Sequence, residues 1–333
     1  MGCTVIVDGF YGDTGKGKII SYLAIADQAA IVARAGVGPN AGHTVVRDGR
    51  AYKLRMVPCG FVNPKAKMLI GPGVLVNPEI VLKEVAETGI SDRFGIDPQC
   101  AIIEQKHILI DQQEGHLKNI VKTTGTGTGP CNADRVMRVA KMARDINELK
   151  PYLADVPALV NDALDKRRNV LIEGTQGTFI SLYFGQYPYV TSKDVCASAA
   201  CSDVGVGPTR VDEVVLVVKS YVTRVGGGDL EGELSFEDAK KKGWDEYGTV
   251  TGRQRRAAPF DYNLARRAVM INGATQLAVT KLDVLFPESR GVDKYEDLNS
   301  DAKKFLEKIE KEVKLPVTLV GTGPDVKEII DRR

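Results

Sequence analysis

Histidine, tryptophan and any excess of one charge are scarce in this chain of 333 residues. The three histidines (His43, His107, His116) stand apart from one another and from cysteine, so no pair has metal-ligand spacing, which argues against a structural zinc site. The six cysteines form no CxxC pair and read as reduced, small apolar residues rather than a disulfide framework. Lys+Arg number 45 against 43 Asp+Glu, a net charge of +2, and aromatics reach only 6%. That balance, without an aromatic-basic stripe, argues against a nucleic-acid binder. No apolar run approaches the roughly 18–20 residues of a membrane span. The chain enters a strand-like CTVIVD at once, so neither a signal peptide nor a transit segment is expected, and the compartment reads as cytoplasm.

What the chain does have is short Val/Ile-rich runs alternating with segments of helical period. That pattern predicts an α/β fold, a largely parallel central sheet flanked by helices, organised as one domain over 1–333 with loop insertions. Strands are expected at 3–8, 30–34, 67–70, 101–104, 170–173, 214–225, 276–281 and 316–320. Helices are expected at 18–27, 133–149, 157–166, 262–272 and 301–313, with a last one from Pro324. Residues 45–54 read as a hairpin turning at Asp48-Gly49. Polar, glycine-rich stretches follow several strands, at 12–18, 36–44, 123–130, 174–178, 187–194, 248–256 and 321–324. In open α/β sheets such loops form the ligand crevice, and this many imply a composite site for more than one substrate.

The first loop, Gly12-Asp13-Thr14-Gly15-Lys16-Gly17-Lys18-Ile19, nearly matches the P-loop pattern G-x-x-x-x-G-K-[ST]. Its glycines let backbone N–H groups close on phosphate oxygens, and its lysines and the following helix supply positive potential. Ile19 stands where the pattern needs a hydroxyl for Mg²⁺, so Asp13 is the nearest candidate for that role. In the next loop, Asn40-Ala41-Gly42-His43-Thr44, His43 is placed to donate to a transferring phosphoryl group.

Thr280-Lys281-Leu282-Asp283 closes a strand. A carboxylate there accepts from guanine N1–H and the 2-amino group, whereas adenine presents an acceptor at N1 and no amine. By itself the segment reads either as this guanine element or as a solvated strand end. Thr249-Val250-Thr251-Gly252-Arg253-Gln254-Arg255-Arg256 gathers three arginines suited to bidentate carboxylate or phosphate binding, with Arg256 read as solvated. Thr123-Thr124-Gly125-Thr126-Gly127-Thr128 offers hydroxyls and amides, followed by Arg135 and Arg138. Gln176 and Thr191 are neutral groups suited to a base edge or a phosphate.

The ordered set GDTGKGK, NAGHTVV, TTGTGTGP, EGTQGT, YPYVTS, TGRQRR, TKLD and GTGPD resembles the adenylosuccinate synthetase family, in a compact archaeal-type form, along nearly the whole chain. The resemblance implies a GTP-dependent ligase that joins IMP to L-aspartate through a 6-phosphoryl-IMP intermediate, with Mg²⁺, as a step of purine biosynthesis. It implies Asp13, His43 and Lys16 as catalytic and Asp13 with the Gly42 carbonyl as metal ligands. GTP would meet Gly12, Asp13, Thr14, Gly15, Lys16, Gly17 and Lys18, then Gly42, His43, Thr44, Arg255, Lys281, Leu282 and Asp283, and finally Gly321, Thr322 and Gly323. IMP would meet the loop residues Asp13, Thr14, Gly15 and Lys16, the stretch Asn40, Ala41, Gly42 and His43, and Thr124, Gln176, Thr191 and Arg253. The aspartate carboxylates would meet Thr249, Val250, Thr251, Gly252 and Arg253. Arg138 matches a residue that reaches the IMP phosphate of the neighbouring subunit, which implies a homodimer; neither nucleic acid nor membrane is an expected partner. Thr14 departs from the family's usual Glu, Tyr11 from its Trp and Val250 from a Thr. The competing reading is a GTP-dependent small-molecule kinase or a GTPase, which leaves the Arg253 loop and the 123–130 segment without a task.

Overall fold

Apolar runs without polar alternation belong in strands covered on both faces, and the chain places them there. The structure, a computed structural model, describes residues 2–248 and 252–333. Its central sheet contains β1 Cys3–Asp8, β2 Ile31–Arg34, β3 Lys67–Ile70, β4 Phe94–Ile96, β5 Val170–Glu173, β6 Val211–Lys219, β7 Gln276–Thr280, β8 Val317–Gly321 and β9 Ile329–Asp331. Their spatial order is β9-β8-β7-β6-β1-β5-β2-β3-β4. Every neighbouring pair is parallel except β8 with β9.

Successive residues of a strand feed opposite cores. Val5 and Val7 of β1 pack with Leu216 and Val218 on one face. Ile6 packs with Val215 and Val217 on the other. Helices cover both faces and begin at the polar caps their chemistry favours: Asn77, Asp155, Asp261 and Asn299 each accept a backbone N–H in the first turn. The helix Lys16–Ala26 starts instead from Gly15 at φ 87 with no side-chain cap, as Thr128–Met137 does from Gly127 at φ 79. Its first amides are thereby left for another acceptor. No helix among the described residues is long and apolar enough to cross a membrane.

Several expected elements change. The run 214–225 is not one strand: β6 stops at Lys219, and Val222–Arg224 pairs antiparallel with Arg256–Ala258 instead. The break lies where the buried Lys219 ammonium must reach Thr223 and Glu246 (2.6 and 2.9 Å) and Ser220 must bond Thr280 and Lys281. The helix expected at 133–149 is Thr128–Met137, because the backbone of residues 141 and 143 pairs with Ile102 and Cys100 rather than continuing a helical ladder. No helix follows Pro324; a tight turn closed by Thr322 N and Glu328 O leads into β9. The Asp48-Gly49 hairpin forms as expected, with both residues at positive φ, between His43–Arg47 and Arg50–Leu54. All six cysteines are buried, with unpaired thiols.

Candidate active site

Several of the parallel strands end in a polar residue: Asp8, Arg34, Glu173 and Thr280 close β1, β2, β5 and β7. Beyond them lies a cleft of about 760 Å³. Asp8 is the organising group of its floor. One carboxylate oxygen accepts from Phe10 N and Gly12 N (2.9 and 3.1 Å), and the other from Thr14 N, the Thr14 hydroxyl and Lys16 Nζ (2.8 Å). Five donors thus wind residues 9–15 around one buried anion. Asp8 was not picked out in sequence; an acidic residue ending an apolar strand directly before a glycine-rich loop was the available signal.

Two lysines of the loop diverge. Lys16 also donates to Gln176 O at 2.6 Å. Lys18 turns to the chain's last loop, donating to the carbonyls of Gly323 and Glu328, and burial lowers its pKa to about 8. Thr280 Oγ1 donates to Thr14 O. The phosphate loop, the TKLD segment and the GTGP turn are therefore tied together by direct hydrogen bonds. Gly15 permits this join: its φ of +87 suits only glycine, and an added Cβ would lie 3.2 Å from Thr280.

His43 opens the hairpin beside the loop helix, close enough that a Cβ on Gly17 would sit 3.1 Å from its own Cβ. Its Nδ1 lies 2.7 Å from Glu173 Oε1. Glu173 also accepts from Arg34 Nη1 (2.6 Å) and Cys59 N (2.7 Å). Arg34 and Glu173 are register partners across β2 and β5, so the sheet itself sets this pair. Burial, then the Arg34 charge, hold the imidazole down at about 4. Burial alone would raise Glu173, but the bond from His43 and the charge of Arg34 bring it to about 2. His43 Nε2 is buried with no hydrogen-bond partner among the described residues. His43, Cys59 and Glu173 also lie close enough together to suggest a cation site, yet the Arg34 guanidinium already occupies the carboxylate.

Asn40, Gln176 and Thr191 come together in one hydrogen-bonded row: Gln176 Nε2 donates to Asn40 Oδ1 (2.9 Å), and Asn40 Nδ2 to Thr191 Oγ1 (3.3 Å). Arg253 meets the start of the 123–130 segment, donating to Lys122 O (2.7 Å) and Thr123 O (3.2 Å). Thr124 bonds Thr126. Arg255 bridges two carboxylates, Asp13 at 2.9 Å and Glu246. Glu246 was not foreseen; it is largely buried among Lys219, Tyr221 and Arg255. Burial works against its charge, but Lys219, Lys281 and Arg255 hold its pKa well below the usual carboxylate range. Arg256 pairs with Glu233 and the carbonyls of Gly226 and Gly228, a structural tie away from the loop residues above.

Asp283 sits in the short helix Leu282–Leu285, and its Oδ1 is buried without a partner among the described residues. Such a carboxylate oxygen calls for donors from outside the chain. Residues 12–18 and 40–44, with Thr124, Gln176, Thr191, Arg253, Arg255, Lys281 and Gly323, all line the cleft. Leu282, Asp283, Gly321, Thr322 and Gly252 do not line it, although Lys281 beside Asp283 does, and Arg138 is exposed at the end of its helix beside Val136, Met137 and Val139. Thr249, Val250 and Thr251 lie outside the described residues. Val225–Gly227 and Tyr187–Tyr189 line the cleft without having been singled out individually. His107 is structural, bonding Glu104 N and Asp134 (2.9 and 3.0 Å).

Comparison with known proteins bears directly on this arrangement. The family model described as adenylosuccinate synthetase matches residues 5–149 and 138–290. The chain is 57% identical to the adenylosuccinate synthetase of Archaeoglobus fulgidus, covering 100% of this chain and 99% of the relative. It is 53% identical to that of Methanocaldococcus jannaschii, covering 99% and 97%. Among solved structures, a fully ligated adenylosuccinate synthetase from Plasmodium falciparum superposes with TM-score 0.92 at 26% identity, over 99% of each chain. A cyanophage S-2L succinoaminodeoxyadenylate synthetase bound to dGMP and dATP gives 0.83 at 26% identity, over 99% of this chain and 95% of that one.

Proposed function

The chain belongs to the adenylosuccinate synthetase family, and on that premise we propose how its own residues divide the GTP-driven ligation of IMP to L-aspartate. The residues of 12–18 wrap the GTP phosphates, with the uncapped helix Lys16–Ala26 behind them. Asp283 accepts guanine N1–H and the 2-amino group on its carboxylate, one donor to each oxygen, with Lys281 alongside the base. IMP lies against Asn40, Thr124, Gln176, Thr191 and Arg253, and the aspartate carboxylates lie against the loop that carries Gly252 and Arg253.

Asp13 accepts the N1 proton of IMP, so that O6 attacks the γ-phosphorus and the β–γ P–O bond breaks with its electron pair leaving on GDP. His43 Nε2 faces the transferring group. To donate there it must carry a proton, which the charge of a bound triphosphate favours. The aspartate amine then attacks C6; the C6–O6 bond breaks, phosphate departs with O6, and the amine sheds a proton. Arg255 has to release Asp13 for this role, and passes to the nucleotide.

Hard oxygen donors suit Mg²⁺, and Asp13 and the Gly42 carbonyl both line the cleft, so these two residues would hold the ion. When bound it would supply neutralisation of phosphate charge. Arg138, exposed amid Val136, Met137 and Val139, reaches a second copy of the chain and its IMP phosphate, making the enzyme a homodimer that works in the cytoplasm.

The observation that carries the reading is that one cleft collects the phosphate loop, the Asn40–Gln176–Thr191 row and the Arg253 loop. The test is phosphate release with Mg²⁺ and GTP, adding IMP and L-aspartate singly and together. Release only with both, matched by adenylosuccinate, is expected. Release with neither would favour a GTPase. Asp13→Ala and His43→Ala should each abolish turnover while the fold is kept, and full activity in either would overturn its role.

A further inference from the structure

A histidine acts on a phosphoryl group through one nitrogen, and something must decide which. Glu173 ends β5 with its side chain fully buried, 130 positions from His43 in sequence. Its carboxylate has no solvent contact and accepts from the Arg34 guanidinium on Oε1 and the Cys59 amide on Oε2. The third contact, 2.7 Å from Oε1 to His43 Nδ1, can be a hydrogen bond only if Nδ1 carries the hydrogen, since an ionised carboxylate offers no donor. Arg34 is itself tied down: Nη2 donates to Ala41 O (3.3 Å), in the loop that delivers His43, and to Arg55 O (2.9 Å) beyond the hairpin. Its Nη1 lies 3.3 Å from His43 Nδ1, farther than the Glu173 oxygen that both contact. Cys59 Sγ lies 3.6 Å from Nδ1 and closes that side of the ring.

From this geometry we infer that Glu173 is the positioning residue of the site: it fixes the hydrogen of His43 on Nδ1, locks the ring plane, and leaves Nε2 as the nitrogen that serves the phosphoryl group. The inference rests on the role given to His43 above. Arg34 acts one step further back. It neutralises Glu173 in the dry strand ends, where an unpaired carboxylate would be costly, and anchors the Ala41 carbonyl of the His43 loop. The unpartnered Nε2 is what such an arrangement predicts: the ring's other nitrogen is satisfied, and the reactive one waits for a ligand. Second-layer carboxylates that orient a histidine are worth about one to four orders of magnitude in activity or affinity elsewhere.

The test joins a spectroscopic reading to kinetics. Nitrogen-15 NMR of histidine-labelled protein, with only three histidines to assign, should show His43 protonated on Nδ1. Glu173→Gln, whose amide can present either a donor or an acceptor to the ring, should shift that signal toward the Nε2–H form. Its kcat should fall about tenfold or more while KM for GTP, IMP and aspartate stays within about twofold. An Nε2–H tautomer in the unmodified protein would overturn the inference, as would a folded Glu173→Gln that keeps kcat. If that variant does not fold, the tautomer of the unmodified protein decides. Full turnover in His43→Ala would instead sink the role of His43; the tautomer, read without turnover, tests the placement independently.

Discussion

Replacing Asp283 by Asn removes the charge from an oxygen that is buried and lacks a partner, while keeping side-chain shape. In the unmodified chain the carboxylate is ready to accept two hydrogen bonds from guanine, one on each oxygen, each charge-assisted and worth about 1.5–3 kcal/mol. Asn loses the charge on both and turns an N–H toward guanine's own donors. The expected loss in kcat/KM for GTP is therefore about 3–6 kcal/mol, or roughly two to four orders of magnitude. Xanthosine triphosphate carries a carbonyl where guanine has its amine, so it can accept from the new amide. The variant should use it in preference to GTP. The assay is phosphate release at saturating IMP and aspartate with each nucleotide in turn. Asp283 itself is only half-buried and its Oδ1 holds no bond among the described residues, so folding should be unaffected. GTP retained within about fivefold, or no gain with the xanthine nucleotide, would refute the assignment of Asp283 to the base.

Asp8→Ala leaves the Lys16 ammonium, two amides of the loop and the Thr14 groups without their shared acceptor, and should cost about 3–5 kcal/mol of stability by denaturant titration; a loss under 1 kcal/mol would contradict the place given to it. Stability should also fall on acidification. His43 is held at about 4 against an ordinary 6.5, so between those values the unfolded chain binds a proton the native one does not, a loss of about 3 kcal/mol by pH 4. Glu173, at about 2 against 4.5, adds its own loss only below pH 4.5. His43→Gln should flatten the slope between pH 6.5 and 4, and an unchanged slope would show that another group causes it. Mixing two inactive variants, Asp13→Ala and Arg138→Ala, should restore part of the activity if Arg138 serves its partner's site; no recovery from mixtures that exchange subunits would count against the shared site.

The parts of the site legible in sequence are those whose residues are consecutive. A phosphate loop is eight residues read in one glance, and TKLD is four. The strands flanking them were legible because both faces are buried, so apolar residues run on without alternation. What stayed hidden depends on pairs far apart in the chain. Asp8 and Glu173 each look like an ordinary polar strand end until the sheet register sets Arg34 beside Glu173 and the loop closes on Asp8. Glu246 was invisible because its partners Lys219 and Tyr221 lie 27 and 25 positions before it, and Arg255 comes from the loop after it. The same cause broke the strand expected over 214–225: hydropathy does not register that a buried lysine must find its carboxylate. The helix expected over 133–149 ended early because residues 141 and 143 found backbone partners 39 and 43 positions upstream, at Ile102 and Cys100.

The central claim is that IMP O6 attacks the γ-phosphate within this cleft and leaves as part of phosphate. Turnover with IMP labelled with oxygen-18 at C6, followed by mass analysis of the released phosphate, tests it directly. The account predicts one labelled oxygen in every phosphate released. Unlabelled phosphate, with the label passed to water, would contradict it.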